Sequence, residues 1–296
     1  ALWYSITGGI VLAAIAIIII KGLNFGIEFT GGTEYRVPVS GQASQETADQ
    51  LRETIADTGV PGAEAPIVTT AGDNILIQVE ELTQEQSDVV SAAIRTVVDV
   101  PANDLAQDEI GASWGQEVAK RAALGVAVFL VLVLLFIGAY FREWKMSVAA
   151  FIALAHDILI TIGVYALSGF QVTPSAVTGL LAILGFSLYD TVVVFDKVRE
   201  NTHERLQGGQ TYGQAANLAV NQTLVRSINT GIVALIPIGA ILFVSARQLG
   251  ASSLQDLALA QFVGMAVGVY SSIFLAPRVL VHLKSRESAI VLQDRR

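Results

Sequence analysis

Four side chains of this chain could carry charge or a proton through an apolar medium, and all four stand in long apolar runs. Asp190 lies in GFSLYDTVVVFDKVREN, residues 185–201, and the charges Asp196, Lys197, Arg199 and Glu200 follow it densely enough to mark a membrane surface. Counting back from Lys197, Asp190 is seven residues inside, roughly 10 Å at about 1.5 Å per residue. An ionised carboxylate at that depth costs at least about 2.5–3.5 kcal/mol, so Asp190 needs a partner or a role. Asp157 follows His156 in the middle of a second run. That pair reads either as a hydrogen bond that fixes helix packing or as a proton-relay element. Thr161, one turn on, is placed to bond the Asp157 carboxyl group. Arg226 stands near the end of a third run, with Asn229 and Thr230 at i+3 and i+4. Snorkelling to the surface is one reading of this arginine. The polar stripe favours the other, in which Arg226, Asn229 and Thr230 turn from lipid towards a neighbouring helix. Gly179, Ile183 and Ser187 share a face with Asp190, and two of them are small enough for close helix approach. An Asp190–Arg226 pair between antiparallel helices is therefore expected.

The elements that must hold these residues are membrane spans. The chain is 53% hydrophobic and only 15% charged, too apolar for an ordinary soluble domain. About 20 apolar residues cross a bilayer, and six such stretches occur, near 1–20, 122–141, 147–167, 174–196, 224–246 and 257–277. The first reads as an anchor rather than a cleaved signal, because no small-residue cleavage site follows it. The chain opens at Ala1 inside that run, so further residues are expected to precede it. Pro174 fits a first helical turn. Pro237, inside the fifth run, should kink its helix or free a carbonyl for a neighbour. Arg142, Lys145, Lys197, Arg199, Arg205, Lys284, Arg286, Arg295 and Arg296 fall in alternate links and the tail, whereas the opposite links hold only Arg247. The positive-inside rule then places both termini in the cytoplasm and residues 22–116 outside.

Charge separates the two parts as sharply as hydropathy does. Residues 22–116 carry 16 acidic and 3 basic side chains, out of 26 and 18 in the whole chain. Neither part has the basic surface that nucleic acid requires. The absence of cysteine excludes disulfides and thiol chemistry, and His203 and His282 stand too far from His156 in sequence to suggest a metal site. Within 22–116 the pattern predicts a strand over 33–39 and a helix from Ser44 to about Gly59. A hairpin of 67–70 and 75–79 around AGDN follows, then a helix capped by Thr83 and Gln86 with Val90, Ile94 and Val97 on one face, and a last strand near 105–111. That β-α-β-β-α-β order suggests a ferredoxin-like α+β domain inserted between helices 1 and 2. It shows no nucleophile–base pair, so binding or leverage is expected of it rather than catalysis. The flanking segments GLNFGIEFTGG and GASWG supply Gly22, Gly26, Gly31, Gly32, Gly111 and Gly115, which serve either as hinges or as tight turns.

The stretches GLNFGIEFTGGT (22–33), ALAHD (153–157), GFSLYDTVVVFDKVREN and NQTLVRSINT (221–230) resemble, in order and across essentially the whole chain, the motifs of the SecD/SecF family of bacterial protein-export membrane subunits. Glu28, Ala112 and Tyr189 depart from the residues usual there. The resemblance implies a six-helix unit of the RND superfamily type with an extracytoplasmic ferredoxin-like domain. The regions would be 1–21 (helix 1), 22–116 (exported domain), 117–284 (helices 2–6) and 285–296 (cytoplasmic tail). It implies a non-enzymatic, cofactor-free subunit in the bacterial cytoplasmic (inner) membrane that uses the proton-motive force to help complete export of unfolded polypeptides. Its partners would be SecD, separate or fused, the SecYEG channel and SecA, with YajC and YidC as further associates. It places Asp190 and Arg226 at the positions tied to proton passage. A second reading, half of an RND-type proton-coupled exporter of small molecules or lipids, also requires a partner half. A third is a passive scaffold whose charges only pack helices.

Overall fold

The computed structural model describes residues 2–39, 43–71, 73–101, 104–205, 210–244 and 253–285. Arg247, Arg286, Arg295 and Arg296, used above for orientation, lie outside them, as does all of the proposed tail except Ser285. A first helix, α1 (Leu2–Lys21), leads into a short strand β1 (Asn24–Phe25), a one-turn helix α2 (Ile27–Thr30) and strand β2 (Gly32–Pro38). Helix α3 (Gln45–Ala56), strands β3 (Ile67–Ala71) and β4 (Asn74–Val79), helix α4 (Gln84–Val97) and strand β5 (Ala106–Ile110) complete the insert. There follow α5 (Ala112–Phe141), α6 (Trp144–Ser168), strand β6 (Gln171–Val172), α7 (Pro174–Arg205), α8 (Tyr212–Val244) and α9 (Ser253–Tyr270). A π turn at Ser271–Leu275 joins α9 to α10 (Ala276–Lys284). Among the described residues, six stretches are long and apolar enough to cross a membrane, the last being Leu254–Lys284.

The insert obeys its local signals. Ser44 caps α3 by accepting a hydrogen bond from the Thr47 amide, and Thr83 with Gln86 forms the reciprocal capping box of α4. The strands form one antiparallel sheet in the order β3-β4-β2-β5. Tyr35, Val37, Ile75 and Ile77 point to one side of that sheet and are buried with Leu51 and Ile55 of α3 and Val90 and Ile94 of α4. Alternation puts Glu34 and Gln78 on the other side, and they are buried too, against Phe25 and against Gln171 of the segment between α6 and α7.

Several helices outrun their apolar windows. α5 begins at Ala112, ten residues before the expected span, so GASWG supplies a cap and a first helical turn rather than a loop. Gly111 is the N-cap, and Glu117 and Arg121 pair at 2.8 Å along the exposed turn. α7 continues to Arg205 and α8 begins at Tyr212, where Asn201 Nδ2 donates to Gln222 Oε1 at 2.9 Å. A hydropathy window measures only the lipid-buried length, whereas a helix stops where its capping and packing stop. Pro237 lies inside α8 without interrupting it.

The face of α7 that carries Gly179, Ile183 and Ser187 does approach another helix closely, but that helix is α9, not α8. A Cβ on Gly179 would stand 3.0 Å from the Leu257 carbonyl, and one on Gly264 would stand 2.3 Å from Ile183 Cδ1. Residues 22–116, expressed alone, are expected to show helix and strand signals and a cooperative melt by circular dichroism. A featureless spectrum with no transition would show that the insert needs the membrane helices to fold.

Candidate functional site

Asp157 and Asp190 lie in one polar seam between α6, α7, α8 and the π turn. Asp157 on α6 is 1% exposed and Asp190 on α7 is 6% exposed. Asp157 Oδ2 accepts hydrogen bonds from Ser187 Oγ at 2.6 Å and Ser271 Oγ at 2.9 Å, while Oδ1 lies 3.0 Å from His156 Nδ1. Asp190 Oδ1 accepts from Ser227 Oγ at 2.7 Å, and Oδ2 accepts from Ser272 Oγ. Ser187 stands one turn before Asp190 on α7 yet serves Asp157 on α6, so α7 ties the two carboxylates into one cluster. Four buried hydroxyls thus surround two carboxyl groups. Each hydroxyl can donate to an ionised oxygen or accept from a protonated one, which lets the cluster hold either protonation state.

The expected Asp190–Arg226 pair does not form within this chain. Thr223, Ser227 and Gly231 are among the residues of α8 buried against its own bundle. Arg226 is turned roughly a quarter of the helix from Ser227 and Asn229 stands almost opposite it; both, with Thr230, are exposed. The Arg226 guanidinium donates through Nη2 to the Tyr189 hydroxyl at 3.3 Å, on the outward side of α7. The stripe is real, but it faces out of this bundle rather than into it. Thr161 also differs from expectation. Its hydroxyl donates to the backbone oxygen of Asp157 at 2.7 Å, the back-bonding habit of helical threonine, and not to the carboxyl group. His156 is buried beside Tyr270, with ring centroids 6.0 Å apart.

Sequence reasoning missed Ser227, Ser271 and Ser272 and found only the small size of Ser187. Adjacent serines in an otherwise apolar span were the available signal, since each hydroxyl there must find a partner.

A second polar assembly couples the insert to the membrane helices. β1 pairs in parallel with β6, Asn24 opposite Gln171 and Phe25 opposite Val172, and the Gly26 amide donates to the Val172 carbonyl at 3.0 Å. Gln171 Nε2 donates to Glu34 Oε2 at 2.8 Å, joining the loop before α7 to the buried side of the sheet. Glu34 also accepts from Arg36 and Gln78. Thr173 Oγ1 donates to Asp256 Oδ2 at 3.1 Å, and the Tyr165 hydroxyl donates to the Asp256 carbonyl at 2.5 Å. Glu34, Arg36, Gln171, Thr173 and Asp256 border a cavity of about 300 Å³ that Glu28 and Asp108 also line.

The six glycines divide by environment. Gly31 and Gly32 have φ of +74° and +120°, and a Cβ on Gly32 would lie 2.4 Å from the Val79 carbonyl. Gly115 is inside α5 against the Gly31 amide, whereas Gly26 caps α2 and Gly111 caps α5. Gly22 alone combines a positive φ, +74°, with open space.

Residues 89–286 match the C-terminal family of SecD/SecF protein export membrane proteins, and residues 16–43 match the SecD/SecF GG motif. The chain belongs to the SecD/SecF family. It is 44% identical over 97% of its length to the protein translocase subunit SecF of Streptomyces coelicolor, of which it covers 75%. To SecF of Mycobacterium tuberculosis H37Rv it is 38% identical, over all of this chain and 68% of that one. To SecDF of Thermus thermophilus it is 36% identical, over 97% of this chain and 38% of that one. The crystal structure of Thermus SecDF, described as a translocon-associated membrane protein, superimposes with a TM-score of 0.81 at 33% identity over 95% of this chain. This chain spans 37% of that protein's length. The GG motif of this SecD/SecF chain falls on the α2–β2 junction, where Gly31 and Gly32 let β2 approach α5 and β4.

Burial raises the pKa of the Glu28 carboxyl group, and the nearby negative charges of Glu34 and Asp108 add to that shift, against a backbone hydrogen bond and Arg36 that lower it. The folded protein therefore holds this proton more tightly than the unfolded chain does. The stability that Glu28 contributes is fully present at low pH and is lost as pH rises from the ordinary carboxylate range through the raised value. Hydrogen exchange at the Gly26 amide should accelerate across that range, and Glu28→Gln should flatten the dependence. Equal slopes in both proteins would remove Glu28 from the account.

Proposed function

We propose that this protein is the SecF half of a proton-coupled machine that, with SecD, uses the proton-motive force to help complete export of unfolded polypeptides. The observation that carries the reading is the pairing of a buried, hydroxyl-caged Asp190 with the polar stripe Arg226–Asn229–Thr230 on the outer face of the adjacent helix. A guanidinium and an amide facing hydrocarbon are costly, so that stripe is to be covered by another protein surface. SecD is the proposed cover. The Thermus relative, named SecDF, supports this as a single chain more than twice the length matched here. Arg226 then meets an acidic group of the partner half across the interface, and Asp190, behind it, takes and releases the proton. The alternative of a small-molecule or lipid exporter has no comparable support, since the named relatives are translocase subunits.

Both termini lie in the cytoplasm in this reading, and the membrane is the bacterial inner membrane. Residues 22–116 form the exported domain between 1–21 and 117–284, with 285–296 as the tail. The strand order β3-β4-β2-β5 with two helices on one side supports the ferredoxin-like assignment of the insert. SecYEG and SecA, with YajC and YidC, are its proposed associates, and polypeptide is its cargo. The insert moves by releasing the β1–β6 clamp, with Gly22 as the pivot. Proton entry supplies about 2.3 kcal/mol per 100 mV for each charge, enough to bias an element poised between two arrangements.

Two outcomes check this. In membrane vesicles, Asp190→Asn should abolish the stimulation of export by an imposed proton gradient while the protein still inserts and binds SecD. Arg226→Lys keeps the charge but loses the fork and should give partial loss. An undiminished response of Asp190→Asn vesicles places the proton site elsewhere. Separately, Asn229→Cys should cross-link to cysteines in the membrane helices of SecD. Labelling of that cysteine by a lipid-phase reagent at equal rates with and without SecD would show instead that the stripe faces lipid.

A further inference from the structure

Ser271 and Ser272 each bring one hydroxyl hydrogen within reach of two acceptors. Ser271 Oγ lies 2.9 Å from Asp157 Oδ2 and 3.2 Å from the Gly268 carbonyl oxygen. Ser272 Oγ reaches Asp190 Oδ2 and lies 3.1 Å from the Val269 carbonyl oxygen. A hydroxyl has a single hydrogen to donate, so each serine serves one acceptor at a time. Both side chains are fully buried. Consecutive residues reach two different carboxylates on two different helices at the start of the π turn, where the Ala276 amide bonds to the Ser271 carbonyl five residues back. Turns of this kind break the regular phase of a helix, are rare, and occur frequently at functional sites.

We propose that Ser271 and Ser272 are positioning residues of the proton site. Their hydroxyls donate to Asp157 and Asp190 while these are ionised, and turn back to the Gly268 and Val269 carbonyls when a proton arrives. The inference rests on the reading of Asp190 as a proton carrier and extends it to the element that senses the proton. At Asp190 the step balances simply. The incoming proton forms an O–H bond on Oδ2, and that O–H donates to a lone pair of Ser272 Oγ. The serine keeps its own hydrogen, which rotates to the Val269 carbonyl. Ser227 continues to donate to Oδ1. Release of the proton reverses each movement, and no covalent bond of the serine breaks. The charge-assisted bond to an ionised carboxylate is roughly twice as strong as a neutral one, which sets the direction of the rotation. Protonation thereby changes which backbone carbonyls of the last span are bonded. Val269 also packs against Gly231 of α8, so α8, with Arg226 on its outer face, adjoins the segment that responds.

The titratable and charged neighbours are few. Asp157 faces His156 on its own helix, Ser187 on α7 and Ser271, with the Tyr270 ring beside His156. Asp190 faces Ser227 of α8 and Ser272, while Arg226 and Tyr189 bond each other on the outer side.

The test uses the full chain with its SecD half in lipid nanodiscs and follows the protonated-carboxyl stretch by infrared difference spectroscopy across pH. Asp190→Asn and Asp157→Asn identify the share of each group. Ser272→Ala withdraws a donor from ionised Asp190 and should raise its midpoint by about one to two pH units, leaving that of Asp157 in place. Ser272→Thr keeps the hydroxyl and should restore the midpoint, and Ser271→Ala should shift Asp157 instead. Equal shifts in the Ala and Thr variants would reduce Ser272 to packing, and no shift in either would also overturn the proposal. Were Asp190→Asn to remove no titrating band, Asp190 would not be the proton carrier, and the role of the serines would fall with it. A band that titrates normally and ignores Ser272 would sink the serine role alone.

Discussion

A carboxylate carried into a membrane must find donors or a proton, and this bundle meets that demand at two neighbouring sites without placing a lysine or arginine against either carboxylate among the described residues. Ser187, Ser227, Ser271 and Ser272 take the place of a counter-ion. The choice has a consequence. A buried arginine beside Asp190 would hold it ionised by charge, whereas hydroxyls can bond either protonation state. The geometry that brings four serines together depends on close helix contact, with Gly264 against Ile183, and on the π turn that offsets Ser272 from Ser271.

The insert is joined to that bundle through its sheet, not merely through its two covalent connections. Glu34 is the polar centre of this contact. It is buried on the side of the sheet away from the domain's own core, accepts from Gln171 of the α6–α7 loop, and keeps Arg36 and Gln78 beside it. The contact is polar and small, and the hydrophobic cores of the two parts are separate. β1–β6 pairing adds two residues of backbone hydrogen bonding to the same loop. The loop that receives the insert is continuous with α7, the helix that carries Asp190, and a rigid helix is a direct mechanical path between the two.

Much of the architecture was legible because it follows from local rules. Six apolar runs became six spans, and Thr83 and Gln86 formed the box their spacing implies. Alternation placed Tyr35 and Val37 on the core side. Asp157 and Asp190 stood out because a charge in an apolar run has few innocent explanations. Helix ends were less legible: 112–121 and 197–205 are polar enough to leave a hydropathy window yet remain helical, since helix length is set by caps and packing. The Thr161 error has the same origin. Its spacing from Asp157 was right, but a threonine hydroxyl in a helix has the carbonyl of residue i−4 closer at hand than any side chain.

By itself the sequence determined that charge lies at membrane depth in this protein, which residues carry it, and that an acidic α+β unit interrupts the spans. Those properties reside in residue type and period, and neither depends on what lies alongside. Only the tertiary structure decided who bonds to whom. One residue of offset on α8, roughly a quarter turn, separates Ser227, which faces Asp190, from Arg226, which faces outward. The face of Gly179, Ile183 and Ser187 was correctly read as a contact face, but its neighbour is α9, more than 70 residues on in the chain. Rotation of a helix about its axis and choice of neighbour are set by the packing of the whole bundle, and no local pattern contains them.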